Sequence, residues 1–419
     1  MFIGSWTKII LLLTAVVAVL QVIHLILLNH LDSIRLQKSK VLNAEKDSVV
    51  ISPENEIKTL FSLLDDTLRN KHFLDSTGVY RIATVLQESR HSVFSTPIPD
   101  ITLVTQCSFD HIFKLVSLAK RWQGPISVAL YMEEDIIPKA LLKVSQLIAC
   151  SQVFKENVTF SLVSPVPAKN NPPLLMPEFD TDDSCDTRVE EENQNYSSTN
   201  KFPNNLLRNV ARRATTTEFV VVIDVDMMPN ENLRSDFLLF ATQRGLFKKT
   251  HQYDKTVFVI PVFEAKDNVE PPLNKAQLLN LVETGEIRPF YTELCSKCQA
   301  PTNYDAWLNE PPGAEMAALF DVIWKDPWEP FYISSNNVPL YDERFKQYGF
   351  NRISQVCELH VAGYTFSVLN NGFLIHLGFK TSNSFHEEKE VDQDSNRMLF
   401  RQFKAELRFK YIDSSRKCY

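Results

Sequence analysis

The sequence has no excess of basic residues. It holds 44 lysines and arginines against 51 aspartates and glutamates in 419 residues, a formal net charge of −7. Nucleic-acid binding depends on basic side chains that displace counterions from phosphates, so this composition argues against a DNA- or RNA-binding protein. The chain also lacks an internal repeat, which argues against solenoid and propeller architectures. Its hydrophobic fraction of 44% and charged fraction of 23% are those of a globular chain of one large or two ordinary domains.

Long hydrophobic runs are absent after the first one, at residues 9–28, which three polar residues interrupt. A helix of this length spans about 30 Å, the hydrocarbon thickness of a bilayer. No small-x-small cleavage site follows, which favours an uncleaved signal anchor behind a cytoplasmic tail at residues 1–8. The rest of the chain then lies on one side of the membrane, and glycosylation triplets at Asn157 and Asn195 favour the secretory lumen.

The remainder of the chain divides into a polar segment and a regular one. Residues 29–95 are polar, with one amphipathic stretch, and are predicted to form a luminal stem. Over residues 96–419, apolar runs alternate with amphipathic stretches of helical length. This pattern predicts parallel βαβ units in an α/β sheet with helices on both faces. Residues 165–200 are a proline-rich and acidic insertion, predicted to be an exposed loop.

Two acidic residues follow a predicted central strand at residues 218–223. The apolar run there continues directly into Asp224 and Asp226, and burying carboxylates is costly unless they are paired or bind a metal. Ligands of open α/β sheets bind beyond the carboxyl ends of strands, where a spacing of two residues places both side chains on one face. This favours a divalent cation with oxygen ligands. The alternatives are the aspartyl nucleophile of a haloacid-dehalogenase-type phosphotransferase and a solvated strand end without chemistry.

A second apolar run ends in His376 and is followed by Gly378 and Lys380. His376 is a candidate third ligand of a cation held by Asp224 and Asp226, and Lys380 is a candidate partner of a diphosphate. A metal and a lysine on a diphosphate stabilise a departing nucleoside diphosphate, as sugar transfer requires. The alternative for a lone histidine after an apolar run is a purely structural role.

The stretch before the acidic strand, residues 203–214, carries apolar residues at helical spacing and is predicted to be an amphipathic helix. Arg208 and Asn209 lie on this helix, one element upstream of the two acids. They are therefore candidates for contact with a donor substrate. The alternative for Arg208 is a solvated position on the surface.

These residues belong to longer motifs that resemble a known family. Within residues 75–419 the chain is similar to glycosyltransferase family 49, to which the C-terminal glucuronyltransferase domain of the LARGE proteins is related. The resemblance is carried, in this order, by PNNLLRNVAR, VVIDVDMMPNENL, GEIRPFYTELCSKCQAPTNY, DPWEPFYIS, YDERFKQYGFNRISQVCELHVAGYTFSVLNNGFLIHLGFK and FRQFKAELRFKY.

The resemblance implies a Golgi type II membrane enzyme with a GT-A fold, a Rossmann-like mixed sheet with helices on both faces. It implies transfer of glucuronic acid from UDP-α-glucuronate to a β-linked xylose, with inversion and a β-1,4 linkage. That step primes matriglycan on O-mannosylated α-dystroglycan, a chain that LARGE extends. Asp224 and Asp226 match the family's metal motif and His376 its C-terminal metal ligand, with Mn²⁺ as the expected ion. The protein partners left open are a LARGE glycosyltransferase and a second copy in a homodimer.

Two other functions remain as alternatives. The family has also been described as an N-acetylglucosaminyltransferase that makes poly-N-acetyllactosamine, which keeps the fold and changes the sugar. A catalytically silent Golgi scaffold for a partner transferase belongs to a different class, and it would gain nothing from keeping Asp224, Asp226 and His376 together.

Inversion requires a carboxylate base on the side opposite the departing UDP. Many GT-A enzymes place it in a Glu-Asp pair after a segment like DERF..YG, but this chain has Asn351 and Arg352 there. Glu329 is the first candidate, because the aromatic residues around it suit the flat faces of a sugar. The further candidates are Asp342, Asp326, Glu343 and Glu358.

Recognition of glucuronate requires a cation for its C6 carboxylate, and arginine is the residue best suited to pair with it in two places. Arg208, Arg288 and Arg352 are the candidates, in that order. A donor carrying N-acetylglucosamine would need none of them.

The seven cysteines include Cys295 and Cys298, spaced like half of a zinc site. The second half, another cysteine pair or suitably placed histidines, is missing. In an oxidising compartment we expect disulfides, between these two or with Cys357 or Cys418, and at least one free cysteine.

Overall fold

The computed structural model of the chain describes residues 52–85, 98–167, 173–179, 185, 201–248, 254–381 and 389–418. The predicted cytoplasmic tail, the predicted anchor, the first part of the predicted stem and most of the insertion, including Asn195, lie outside these residues. In the described part of the chain, no helix is both long enough and apolar enough to cross a membrane.

The α-helices of the described residues are mostly short and amphipathic, with their apolar stripes against the sheets. In chain order they are α1 (Pro53–Asn70), α2 (Ile112–Trp122), α3 (Ile137–Cys150), α4 (Gln152–Asn157), α5 (Asn204–Arg213), α6 (Leu233–Gln243), α7 (Lys275–Glu283), α8 (Ser296–Gln299), α9 (Tyr304–Asn309), α10 (Asn351–Val361) and α11 (Lys389–Lys410). The predicted helix at residues 203–214 is α5, whose apolar side chains are buried as the spacing requires.

The strands form two sheets. In chain order they are β1 (Phe73–Leu74), β2 (Tyr80–Val85), β3 (Ile98–Ser108), β4 (Ile126–Tyr131), β5 (Val158–Pro165), β6 (Thr217–Val222), β7 (Met227–Pro229), β8 (Thr256–Ile260), β9 (Val262–Ala265), β10 (Ile287–Pro289), β11 (Ala318–Val322), β12 (Phe331–Ser335), β13 (Thr365–Leu369) and β14 (Leu374–Leu377). The large sheet has ten strands in the order β1-β2-β5-β4-β3-β6-β12-β8-β13-β11, and the small one has four in the order β10-β9-β14-β7.

The large sheet is mixed, as predicted for an α/β fold. Strands β5, β4, β3 and β6 run parallel to one another, and the helices between them supply the crossovers. Every residue of β4 is buried, which is the continuous apolar pattern of a strand covered on both faces. Strand β12 then pairs antiparallel with both β6 and β8. The carboxyl ends of the parallel strands therefore meet at one edge, where β6 leads into the two acids.

The small sheet brings the second apolar run to that edge. Strand β14 pairs antiparallel with β7, with His376 opposite Met227, and parallel with β9, with His376 beside Glu264. Because β7 begins directly after Asp226, this register places His376 next to the acidic turn. Residues far apart in the sequence are thus joined by strand pairing.

The predicted stem at residues 29–95 requires a correction. Helix α1 buries Ile57, Phe61, Leu64 and Leu68 in the main core, and strand β2 pairs with β5 over six residues as part of the large sheet. The folded domain therefore begins at residue 53 rather than at residue 96. The polar face of α1 suggested a stem, whereas its buried apolar stripe makes it part of the domain.

Three disulfides link cysteines among the described residues. The disulfides are Cys150–Cys185, Cys295–Cys298 and Cys357–Cys418, and Cys107 is free and buried. The expectation of disulfides with one free cysteine is confirmed. The first bridge ties the insertion to the end of α3, and Leu174, Met176 and Phe179 of the insertion pack against the core, so the predicted exposed loop is in part a packed one.

Candidate active site

Asp224 and Asp226 lie in the turn that connects β6 to β7, where the backbone N–H of Met227 donates to the Asp224 carbonyl at 2.9 Å. The strand ends at Val222, two residues before the first acid, so the alternation of a strand does not govern their directions. The two carboxylates instead have separate partners. Asp224 faces a pair of arginines, and Asp226 faces His376 and Lys380.

His376 lies next to Asp226, as the sequence predicts. The imidazole Nε2 is 3.1 Å from Oδ2 of Asp226, and the other ring nitrogen, Nδ1, is 2.8 Å from the carbonyl oxygen of Gly378. A carbonyl oxygen only accepts, so Nδ1 carries a proton and donates it. Nε2 then either donates to Asp226 from a doubly protonated ring or, in the neutral ring, presents a lone pair to it. Two acceptors at this distance need a cation between them, either a proton or a metal ion.

Gly378 shapes this contact. Its φ is +83°, and a Cβ at this position would lie 2.8 Å from Oδ1 of Asp267. Only glycine adopts this conformation without strain, and the resulting turn folds the Gly378 carbonyl back onto His376. The backbone of Gly378 thus closely approaches the histidine two residues before it.

The donor set fits a divalent cation at Asp226 and His376. Neighbouring ligands of an octahedral ion with bonds of about 2.1 Å lie about 3 Å apart, which matches the separation of Nε2 and Oδ2. Burial raises the pKa of Asp226, but the charge and hydrogen bond of His376 and the charges of Lys380 and Lys114 hold that pKa well below its usual range. The carboxylate is therefore ionised. No group of three or more acidic, histidine or cysteine side chains is arranged as a metal cluster among the described residues.

Asp224, the other predicted ligand, is bound by protein cations. Arg352 donates through Nη2 to both carboxylate oxygens, at 3.1 and 3.0 Å, and Arg208 donates to Oδ1 at 3.0 Å. Gln106 donates to the same oxygen at 2.7 Å. Burial raises the pKa of Asp224, and the charges of Arg352 and Arg208 outweigh that effect, so its pKa is lowered. The negative charge of Asp224 is therefore already balanced by Arg352 and Arg208, and little of it is left for a cation bound at Asp226.

The predicted donor-binding residues of α5 are largely occupied within the protein. Arg208 is buried and also donates to the side-chain oxygens of Asn205 and Asn351, both at 3.0 Å, while its Nε has no hydrogen-bond partner among the residues that the structure describes. Asn209 donates to the Tyr341 carbonyl and to Glu343, and accepts from the Tyr341 N–H. Both side chains therefore fix the segment before α10, and α5 is a structural neighbour of the site.

Lys380 lies beside Asp226, and Arg288 lies beside the turn that carries Lys380. The Lys380 ammonium is 4.0 Å from Oδ2 of Asp226, within reach of a phosphate bound there. Arg288 pairs with the buried Glu264 and stacks over the ring of Phe379 at 4.1 Å. The three candidates for a sugar carboxylate are therefore each paired with a carboxylate of the protein: Arg208 and Arg352 with Asp224, and Arg288 with Glu264.

The three leading base candidates differ in their surroundings. Burial raises the pKa of Glu329 to about 7, an effect that Arg352 and Arg208 only partly offset. Asp342 is paired with Arg344, which in turn binds Glu406 of α11, so Asp342 belongs to a structural network. Asp326 is half-buried, and burial raises its pKa, while Lys404 and Lys297 lower it. Of the three, Glu329 is the one whose charge interacts with Asp224 and both of its arginines.

Arg212 anchors the loop that leads to Asn351 and Arg352. It is fully buried and donates to the carbonyls of Asn336, Val338 and Pro339 at 2.9–3.0 Å. Replacing it with methionine leaves these carbonyls unpaired. We expect Arg212→Met to lower the free energy of unfolding by about 3 kcal/mol or more, measured by urea denaturation.

The adjacent Arg213 gives the matched control for this prediction. It is half-exposed and, within the described part of the chain, pairs with Glu343 alone, at 3.2 Å, so Arg213→Met is expected to cost less than about 1 kcal/mol. Equal losses in the two variants would contradict the anchoring role of Arg212.

Three residues near the site were not predicted from the sequence. Gln106 lies near the end of β3 and binds Asp224, Lys114 lowers the pKa of Asp226, and the charge of His111 interacts with Asp226. All three belong to the end of β3 or the helix after it, beside β6 in the sheet. Applying the strand-end rule to β3 as well as β6 identifies this region.

Comparison with known proteins identifies the family. The family model described as "Glycosyl-transferase for dystroglycan" matches residues 100–412. The chain is 41% identical to human beta-1,4-glucuronyltransferase 1 over 362 residues, covering 82% of this chain and 83% of that protein. The Danio rerio protein of that name is 37% identical over 98% of each chain. Xylosyl- and glucuronyltransferase LARGE2s of Danio rerio is 31% identical over 66% of this chain and 31% of its own length. As its motifs predict, the chain belongs to the family of glycosyltransferases for dystroglycan, glycosyltransferase family 49.

Proposed function

We propose that this protein is an inverting, metal-dependent glucuronyltransferase with a GT-A fold. It moves glucuronic acid from UDP-α-glucuronate to a β-linked xylose, forms a β-1,4 linkage and primes matriglycan on O-mannosylated α-dystroglycan. The family assignment supports the reaction, because relatives that cover most of the chain carry the name glucuronyltransferase. The observation that carries the proposal is the contact of Nε2 of His376 with Asp226 at 3.1 Å.

Each residue of the site has a role in this reaction. Asp226 and His376 would hold the cation, for which Mn²⁺ is our proposal, and the bound ion would neutralise charge on the departing diphosphate. Lys380 lies 4.0 Å from Asp226 and would pair with a phosphate. Arg352 and Arg208 keep Asp224 ionised and hold it in place.

Glu329 is the base we propose. A carboxyl group with a pKa of about 7 is half-ionised near neutral pH, so it can accept a proton from the acceptor hydroxyl as that oxygen attacks the sugar. Since the three arginines are paired with carboxylates, we propose Lys114 and Lys380, whose charges act on Asp226, as the cations for the anionic groups of the donor.

We also propose a Golgi membrane location with the catalytic domain in the lumen, behind an anchor at residues 9–28. Three disulfides among the described residues support an oxidising compartment. Asn157 is the last residue of α4 and is partly exposed, which suits a glycan at that position. A LARGE glycosyltransferase as partner and a homodimer remain proposals of the same kind.

A panel of donors tests the function. The whole chain, purified in detergent, is offered a set of UDP-sugars with Mn²⁺ and a β-xyloside, and the product is analysed by mass spectrometry and glycosidase digestion. We expect transfer from UDP-glucuronate alone, and no transfer after treatment with EDTA. Transfer from UDP-N-acetylglucosamine alone would favour the poly-N-acetyllactosamine function instead. No transfer from any donor, with Mn²⁺ still bound, would favour a scaffold.

A further inference from the structure

Glu264 is a buried carboxylate that no step of the proposed reaction uses. It lies in β9, between β10 and β14. It is paired with His376 of β14 and with Arg288 of β10. Its side chain is fully buried, and a buried carboxylate is costly unless it is paired and hydrogen-bonded. Its partners therefore indicate why the protein keeps an acid at this position.

The two oxygens of Glu264 hold different segments. Oε1 accepts from Nε of Arg288 at 2.5 Å. Oε2 accepts from the backbone N–H of Lys380 at 3.2 Å and from that of Tyr291 at 3.4 Å. Tyr291 has a φ of 62°, in the left-handed region. The carboxylate thus fixes the backbone on both sides of the metal candidate His376, in the turn after β14 and in the turn after β10.

The Lys380 turn is held a second time. Arg288, fixed by Glu264, stacks over the ring of Phe379 at 4.1 Å, one residue before Lys380. The ammonium of Lys380 lies 4.0 Å from Asp226. The ion pair of Glu264 with Arg288 therefore holds the backbone of residues 379–380 in the position that directs Lys380 to the acidic turn.

We propose that Glu264 is a positioning residue for donor binding, which acts through Lys380 on the phosphates of the nucleotide. This inference rests on the proposed function for the identity of the donor. Glu264 does not contact the donor itself. Its loss releases the Lys380 turn and leaves the cation ligands in place, because His376 is held by β7 and by Gly378.

The test is a double-mutant cycle between Glu264→Gln and Lys380→Met in the whole chain. Binding of UDP is measured by calorimetry, with Mn²⁺ and with EDTA, and KM and kcat with UDP-glucuronate. Residues that orient a binding group typically change affinity by about 10–100-fold. We expect Glu264→Gln to weaken UDP binding and raise KM about tenfold with little change in kcat. The double variant should bind UDP as Lys380→Met does, because interacting residues are not additive.

Two further variants keep the test decisive. Glu293→Gln removes the half-exposed second carboxylate of Arg288, at 3.4 Å, and is expected to bind UDP like the wild type. Arg288→Lys keeps the charge and loses the stacking geometry, so its affinity for UDP should lie between those of Glu264→Gln and Glu293→Gln. This variant tests the same contact if Glu264→Gln fails to fold. Unchanged UDP binding in Glu264→Gln, or additive effects with Lys380→Met, would overturn the proposal. UDP binding does not depend on which sugar is transferred, so it tests the role of Glu264 alone. A wrong glucuronate assignment is detected by the panel of donors.

Discussion

Replacing Asp226 with asparagine is expected to reduce glucuronate transfer by about 10²–10³-fold, the loss that follows removal of one electrostatic element from a transition state. The change keeps the shape of the side chain and removes the charge that faces His376. Transfer is measured with saturating Mn²⁺ and a β-xyloside, and Mn²⁺ binding is measured by electron paramagnetic resonance. Both should weaken together.

The control for this variant is Asp321→Asn, an exposed acid on β11, at the edge of the large sheet. It should transfer and bind Mn²⁺ like the wild type. If Asp226→Asn lost Mn²⁺ binding and kept its transfer activity, the cation would have no part in the reaction.

Replacing Glu329 with glutamine is expected to lower kcat by about 10²–10⁴-fold, the range of a general base, while KM for the donor and UDP binding stay unchanged. Only the ionised carboxylate accepts a proton, and burial raises the pKa of Glu329 to about 7. The ionised fraction, and with it kcat/KM, therefore rises with pH and reaches half of its plateau near pH 7. Activity is lost as the pH falls through this value.

The pH profile of Glu329→Gln shows whether Glu329 itself or a neighbouring carboxyl group is the base. In Glu329→Gln the residual activity should show no rise near pH 7. Asp326→Asn tests the rival candidate, and Glu315→Gln, an exposed acid, is the matched control. A full rise near pH 7 in Glu329→Gln, or a larger loss in Asp326→Asn, would assign the base to another carboxyl group.

Local patterns in the sequence were enough for the elements that carry the site. Three segments have clear patterns. The stretch that forms α5 has apolar residues at helical spacing, because one face is buried. The runs before Asp224 and before His376 are continuously apolar, because strands buried on both faces are. The contact of His376 with Asp226 followed from the strand-end rule. The stem was misjudged, since the partner of α1, helix α3, lies far away in the sequence and a single amphipathic helix does not show what it packs on.

The partners of the charged side chains could not be read from the sequence. Arg208, Arg288 and Arg352 were the candidates for binding a sugar carboxylate, and each is paired with a carboxylate of the protein. Glu264 and Gln106 gave no signal, because a single acid or amide in an apolar strand has no period. Such pairings depend on strand register and on loops that join distant segments, which the composition of a segment does not record.

The contact between His376 and Asp226 joins positions 150 residues apart in the chain. A proteolytic fragment or a nascent chain that stops short of β14 lacks His376. The pairing of β14 with β7 is among the last that can form during synthesis, because β14 lies near the end of the chain. Transfer activity is therefore a readout of completed folding in this protein, and it should be absent from every partly made form. A cell that makes this protein would accordingly be protected from unfinished copies that consume nucleotide sugar.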